Sequence, residues 1–235
     1  MKYSIVIPCY NEEENLPKLV ETITKFAKWR DIEFILVENG SEDNSFELMK
    51  SLIEDKAFIR IVKVEKNKGL GYGIFQGIKD AKGDFIGWIH ADMQTPMEDI
   101  EGFFSYLDST PICKKIMVKA TRHNRSLLDY FFTNSMAFFC SVLYGKILYD
   151  IQAVPVIASR DLFESLDIVP HGFAFDMFIY LLAKKKNFNI KRMPVRIFRR
   201  EKGNSSWNTG IQARIRLSKY MIRSAFKISK GNFDV

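Results

Sequence analysis

Cysteine is scarce. Only Cys9, Cys113 and Cys140 occur in 235 residues, too few and too scattered for a disulfide framework or a thiolate zinc site. A reducing, cytoplasmic setting is the default expectation. Histidine is equally rare, and His90, His123 and His171 share no zinc spacing. The opening run MKYSIVIPCY is too short an apolar stretch for a signal peptide. The longest uncharged stretch, Tyr130 to Gly145, has sixteen residues and is broken by Thr133, Asn134, Ser135 and Ser141. A membrane span needs about 20 mostly apolar residues, so the chain is expected to touch a bilayer rather than cross one. No internal repeat, low-complexity tract or Pro/Gly/Ser-rich linker divides the sequence. Acidic residues are outnumbered, 28 against 35 Lys and Arg, for a net charge of +7. A basic balance favours an anionic partner. Nothing beyond that charge speaks for nucleic acid, and no nucleic-acid partner is expected.

The first hundred residues alternate strand and helix patterns. Apolar runs at Tyr3–Pro8, Ile32–Val37, Ile59–Val64 and Asp84–Ile89 read as strands. Glu12–Arg30, Ser41–Ile53 (with Ser41 as cap) and Gly73–Ala81 read as helices. This rhythm implies an α/β fold with right-handed crossovers and a mostly parallel central sheet flanked by helices. Ligands of such sheets bind beyond the carboxyl ends of the strands. The polar clusters Cys9–Glu14, Glu38–Asn44 and His90–Thr95 each follow a strand there. Later elements are less regular: a strand at Lys115–Ala120, helices at Leu127–Leu148 and Asp176–Lys184, and a strand at Lys191–Arg199. The simplest division is a domain at 1–207 with a helical tail at 208–235.

Asp92 and Gln94 stand two apart just after a strand. Extended backbone would turn both side chains to one side. Two such oxygens suit a hard divalent cation that keeps waters and takes further oxygens from a diphosphate. The plain alternative is a polar loop capping the next helix. Gly69, Gly71 and Gly73 do not make a dinucleotide fingerprint, because their spacing is Gly-x-Gly-x-Gly after the third strand. Phe103, Phe104, Phe131 and Phe132 read as core or lipid-facing side chains rather than base-stacking platforms.

Four segments, in order, resemble the family 2 glycosyltransferases, enzymes of the GT-A fold that use nucleotide sugars. They are Ser4-Ile-Val-Ile-Pro-Cys-Tyr-Asn-Glu12, Val37-Glu-Asn-Gly-Ser-Glu-Asp43, Asn67-Lys-Gly69 with Gly77 and Ala81-Lys-Gly-Asp84, and His90-Ala-Asp-Met-Gln94. Within that family the second half resembles the dolichol- and polyprenyl-phosphate sugar transferases. Arg122, Arg125, Asn134, Gly145 and Asp150-Ile-Gln152 carry this, with Gly172-Phe-Ala-Phe-Asp176, Met193-Pro-Val and Arg200-Glu-Lys-Gly203-Asn-Ser205. The resemblance spans about residues 3 to 207.

It implies a nucleotide site at Pro8, Tyr10, Glu12, Glu38, Asn67, Lys68, His90 and Asp92, with the metal, Mg²⁺ or Mn²⁺, held by Asp92 and Gln94. It implies a site for acceptor phosphate, donor diphosphate or both at Arg122, Arg125, Asp150, Gln152, Arg200 and Ser205. Arginine is a permanent planar cation suited to phosphate oxygens. Asp92, Arg200 and Asp176 are the expected catalytic residues. The implied reaction moves a sugar, with inversion, from a nucleotide donor to a lipid-linked phosphate at the cytoplasmic face of a membrane. A phosphate acceptor is largely ionised near neutrality and hardly needs a general base, whereas a sugar hydroxyl does. With Asp176 as that base, transfer to a glycan hydroxyl is the alternative. A non-catalytic nucleotide-sugar-binding subunit is the other.

The chain departs from the pattern at several places. Glu38-Asn39 stands where the family has paired Asp, and His90 where the metal motif begins with Asp. Ala153-Val154-Pro155 follows Asp150-Ile-Gln152 in place of Gly-Phe. Phe178 occupies a common Glu position, and Ser206 a common Lys position. In the tail, Arg216, Lys219, Arg223, Lys227 and Lys230 form one helical stripe, beside Ile211, Ile215, Ile222 and Phe226. A basic amphipathic helix is expected to lie on an anionic membrane surface, either alone or alongside a membrane-anchored partner. The plain alternative is a helix packed on the domain with a solvated basic edge.

Overall fold

Uninterrupted apolar runs become the buried strands. In a computed structural model, which describes residues 1–111, 115–198, 200 and 210–231, β1 (Tyr3–Cys9) and β2 (Ile32–Asn39) are buried at every position. β3 (Ile59–Val64) pairs parallel with β2, and β4 (Phe85–Trp88) parallel with β1. The crossovers are α1 (Leu16–Ala27), α2 (Ser45–Ile53) and α3 (Leu70–Asp80). Burial on both faces is what a parallel sheet covered by crossover helices demands.

The second half extends the same sheet. β5 (Ile116–His123), β6 (Val156–Ser159) and β7 (Asn189–Arg196) complete the order β3-β2-β1-β4-β6-β5-β7. β6 runs antiparallel to β4 and β5, and β5 runs parallel to β7. The remaining helices are α4 (Met97–Asp108), α5 (Leu127–Tyr144), α6 (Ala174–Lys185) and α7 (Gly210–Ser229). One core lies beneath α1, α2 and α4, around Phe34 and Phe103. The other lies beneath α3, α5, α6 and α7, around Trp88 and Phe175.

Local chemistry moves several boundaries from those expected. α1 begins at Leu16 rather than Glu12. The Glu12 and Glu13 amides donate instead to Ser45 Oγ and Asp43 Oδ2, across to the loop after β2. Ser41 is not the cap of α2, because its hydroxyl accepts the Asn11 amide at 3.2 Å. α3 begins at Leu70, so Gly71 and Gly73 lie inside it. A Cβ on Gly71 would stand 2.4 Å from the Pro170 carbonyl oxygen. These glycines therefore serve close packing, which outweighs their poor helix propensity. α4 and β6 were not anticipated; Phe103 and Phe104 are core residues on α4, 0% and 1% exposed.

α5 stops at Tyr144, short of Leu148, because Gly145 turns left-handed at φ 60° and closes the helix. Its start is capped by Ser126, whose side chain accepts the Asp129 amide. α7 packs on α5 and α6, with Ala213, Met221 and Ala225 buried. Tyr144 Oη donates to the Ala225 carbonyl at 2.6 Å, and Arg214 Nε pairs with Asp129 Oδ1 at 2.9 Å. The basic stripe at Arg216, Lys219, Arg223, Lys227 and Lys230 remains exposed. Ile215 and Phe226 are exposed beside it and Ile222 is half-buried, while the Ile211 side chain lies outside the described residues. No described helix is long and apolar enough to cross a membrane.

Candidate active site

The strand order brings the ends of β3, β2, β1 and β4 side by side, and hydrogen bonds tie their loops together. Glu38, at 3% exposure in β2, accepts the Ser41 amide at 2.5 Å. Asn11, after β1, accepts the Glu42 amide at 2.8 Å. Asn39 donates to the Gly69 carbonyl at 3.3 Å, and Asn67 accepts the Gly69 amide at 2.8 Å. Lys68 lies over the Tyr72 ring, 4.9 Å from its centre. Pro8 is buried inside β1, and Tyr10 is 37% exposed at its end. Glu12 forms an ion pair with Arg200. Arg200 therefore sits against the loop after β1. Ser205 lies outside the described residues.

The turn after β4 carries His90, Asp92 and Gln94. It is not the extended segment expected: Met93 is left-handed at φ 51°, and the Gln94 amide donates to Asp92 Oδ1 at 3.2 Å. Both side chains still line one cavity of about 440 Å³, together with His90, Arg122, Gln152 and Phe198. Gln94 Nε2 donates to the Phe198 carbonyl at 3.0 Å, which leaves its amide oxygen without a protein donor among the described residues. A carboxylate and a free amide oxygen fit a hard cation that keeps most of its waters. They do not make a closed cage, and no group of three or more His, Cys, Asp or Glu side chains stands ready for a metal among the described residues.

Arg122, on β5, reaches Asp150 in the turn before β6. The Asp150 carboxylate accepts the Arg122 backbone amide at 2.8 Å and its Nε at 2.9 Å, and also pairs with Nη2. Arg125 Nη1 lies 3.7 Å from the same carboxylate. Burial works to raise the Asp150 pKa, but Arg122 and Arg125 outweigh it and hold the carboxyl below the usual range. Burial and the neighbouring Arg122 together lower Arg125. A cavity of about 300 Å³ is lined by Arg122, Arg125, Arg214, Gln152, His90, Gln94 and Asp176. It shares His90, Gln94, Arg122 and Gln152 with the first cavity. The Asp92–Gln94 turn and the arginine pair thus open on adjoining spaces.

Asp176 stands at the start of α6, 4% exposed, and accepts the Trp88 indole N–H at 2.9 Å. Three cations here escaped the sequence reading. Lys119, in mid-strand on β5, is 1% exposed. Arg192, beside it on β7, donates Nε to Thr121 Oγ1 at 3.1 Å. Arg214, on α7, lines the second cavity. The only sequence signal for Lys119 was a lysine interrupting the apolar run Ile116–Ala120.

The Glycosyl transferase family 2 profile matches residues 4–144. Undecaprenyl-phosphate 4-deoxy-4-formamido-L-arabinose transferase of Proteus mirabilis (strain HI4320) is 42% identical over 103 residues, covering 42% of this chain and 31% of that protein. The protein of the same name from Yersinia pestis (strain Pestoides F) is 40% identical over 102 residues, covering 42% and 31%. The matched region spans about a third of the length of these relatives. Glucosyl-3-phosphoglycerate synthase from Mycobacterium tuberculosis, solved with Mn²⁺, UDP and glucosyl-3-phosphoglycerate, superposes with a TM-score of 0.74 at 16% identity, over 99% of this chain and 81% of that one. The same enzyme with Mg²⁺ and UDP gives 0.75 at 16% identity, over 99% and 80%. The shared architecture is the GT-A fold. With more than half of its length matched in sequence, the chain belongs to glycosyl transferase family 2.

Proposed function

We propose that this protein transfers a sugar from a nucleoside-diphosphate donor to a polyprenyl phosphate, with inversion, at the cytoplasmic surface of an anionic membrane. The observation that carries the reading is the cavity lined by Arg122, Arg125 and Arg214, adjoining the turn of Asp92 and Gln94. The named relatives from Proteus and Yersinia are undecaprenyl-phosphate sugar transferases, and the Mycobacterium tuberculosis enzyme was solved with UDP and a divalent metal.

Asp92 and Gln94 are the residues that would hold Mg²⁺ or Mn²⁺. When bound, the ion supplies Lewis-acid neutralisation of charge on the departing nucleoside diphosphate. The loops after β1, β2 and β3 carry Tyr10, Glu12, Glu38, Asn67 and Lys68 for the nucleotide, where a carboxylate such as Glu38 accepts hydrogen bonds from ribose or base. Arg122 and Arg125 hold the acceptor phosphate. One phosphate oxygen attacks the anomeric carbon as the bond from that carbon to the diphosphate oxygen breaks. A single displacement inverts the centre. The phosphate arrives ionised, so no side chain need take a proton. Asp176 already receives the Trp88 N–H, which supports a structural or orienting role and weakens the hydroxyl-acceptor reading.

The exposed basic stripe of α7 lies next to α5, whose Leu127, Phe131, Phe138 and Val142 are 90%, 65%, 72% and 68% exposed. Phe139 of α5 packs edge-on against Phe226 of α7. Apolar side chains beside cations suit an anionic bilayer surface, where a lipid-linked acceptor resides. Donor turnover with undecaprenyl phosphate, compared with turnover on an oligosaccharide acceptor, tests the reaction. Product on the lipid alone is expected; product on the oligosaccharide alone contradicts it.

A further inference from the structure

Lys119 is a lysine where a sheet interior normally holds an apolar residue. A buried ammonium is costly unless something specific holds it. Its Nζ donates to the Ala153 carbonyl at 2.7 Å. Arg192 is its register partner on β7, and Arg192 Nη2 donates to the Asp150 carbonyl at 3.4 Å. The Tyr180 ring of α6 lies 5.6 Å from each cation. Two adjacent cations therefore grip the two ends of the Asp150–Ala153 turn. That turn presents the Asp150 carboxylate to Arg122 and Arg125, and Gln152 to both cavities.

The charges around the turn do not balance. Lys119, Arg122, Arg125 and Arg192 face Asp150 and Asp176 as buried carboxylates, with half-buried Asp129 near Arg125 and paired to Arg214. Arg192 Nη1 is buried without a hydrogen-bond partner among the described residues. An anion in the adjoining cavity would meet Arg122 and Arg125, which line it.

We propose that Lys119 is a positioning residue of the acceptor pocket: with Arg192 it clamps the Asp150–Ala153 turn by its carbonyls, and so sets Arg122 and Arg125 for a phosphate monoester. This rests on the phosphate-acceptor reading above. The groups facing Lys119 are Asp176 and Tyr180 from α6, Arg192 from β7, Asp150 from the turn and Arg122 from its own strand. Burial brings Lys119 down to about 7. Asp150 is held below the usual carboxylate range, and burial pushes Tyr180 up. A phosphate dianion entering the cavity favours the charged form of Lys119, so binding takes up protons above neutrality.

The test is calorimetric titration of the full chain with farnesyl monophosphate in buffers of different ionisation enthalpy, from pH 7.5 to 9. The wild type is expected to take up a fraction of a proton and to lose affinity several-fold across the range. Lys119→Met is expected to bind about tenfold more weakly at pH 7.5, as a displaced positioning group would cause. It should show no proton uptake and a flat pH profile, with UDP affinity in Mn²⁺ unchanged. If Lys119→Met keeps wild-type affinity and uptake, the clamp is refuted. If the wild type binds farnesyl monophosphate without uptake or pH dependence, it is refuted even should the variant fail to fold. If the wild type does not bind this phosphate at all, the phosphate-acceptor reading fails first and the clamp with it.

Discussion

Trp88 on β4 donates its indole N–H to Asp176 on α6, 88 positions along the chain, at 2.9 Å in the buried core. The bond joins the strand that ends at the Asp92–Gln94 turn to the helix that floors the arginine cavity. It also occupies one of the two oxygens of the Asp176 carboxylate.

Asp176→Asn follows directly. The amide oxygen still accepts the Trp88 N–H, so folding should be retained. With an ionised phosphate as acceptor, kcat should fall by no more than about tenfold, far less than the loss of a required general base, about 10²–10⁴-fold. Steady-state kinetics with undecaprenyl phosphate checks this, and abolished transfer with intact UDP binding would favour the hydroxyl-acceptor mechanism.

Arg122→Ala strips the main partner from a carboxylate that is 8% exposed. Breaking a buried pair from one side destabilises by about 3 kcal/mol. Urea denaturation should show a loss of that order, and Arg122→Ala with Asp150→Ala should be less damaged than the sum of the two single changes. Additive losses would mean that the pair is not coupled.

Stability against pH tests the buried lysine without any ligand. Lys119 falls to about 7 in the folded chain, against about 10.4 when unfolded. Below 7 both states carry the proton, and the penalty of burying the charge is fully present. Between 7 and 10.4 the unfolded state binds more protons, so folding stability rises with pH. Lys119→Met lacks this term. Wild-type stability should therefore gain on that variant between pH 7.5 and 9.5 in urea melts, and a constant difference would show that Lys119 does not titrate there.

Charge reversal on α7 tests membrane docking. Arg216, Lys219 and Arg223 are exposed, so their replacement by Glu should leave the fold intact. Exposed cations near an anionic surface contribute about 1 kcal/mol each. Co-sedimentation with phosphatidylserine vesicles should fall by about a hundredfold or more, with little change on neutral vesicles. Equal binding of variant and wild type would remove α7 from the membrane contact.

The alternating apolar runs made the parallel half of the sheet legible, because burial on both faces leaves no room for polar residues. The clusters after β1, β2 and β4 were legible for the same topological reason. β6 was not, since three apolar residues and a serine following a proline carry too little period to distinguish strand from loop. The start of α3 was hidden because Gly71 and Gly73 argue against helix until the close approach of Pro170 and Asn39 is known. Asp92 and Gln94 line one cavity, but through a turn rather than through strand geometry. The ion pair of Arg200 with Glu12 was not legible, because it spans 188 positions. Lys119 and Arg192 gain meaning only from the register that sets them side by side.

Transfer of labelled sugar from a nucleotide donor to undecaprenyl phosphate, with Mn²⁺ present or removed by EDTA, in the wild type and in Asp92→Ala, tests the central claim most directly. Labelled lipid should form only with wild type and metal together, and its formation by Asp92→Ala at the wild-type rate, or in EDTA, would contradict it.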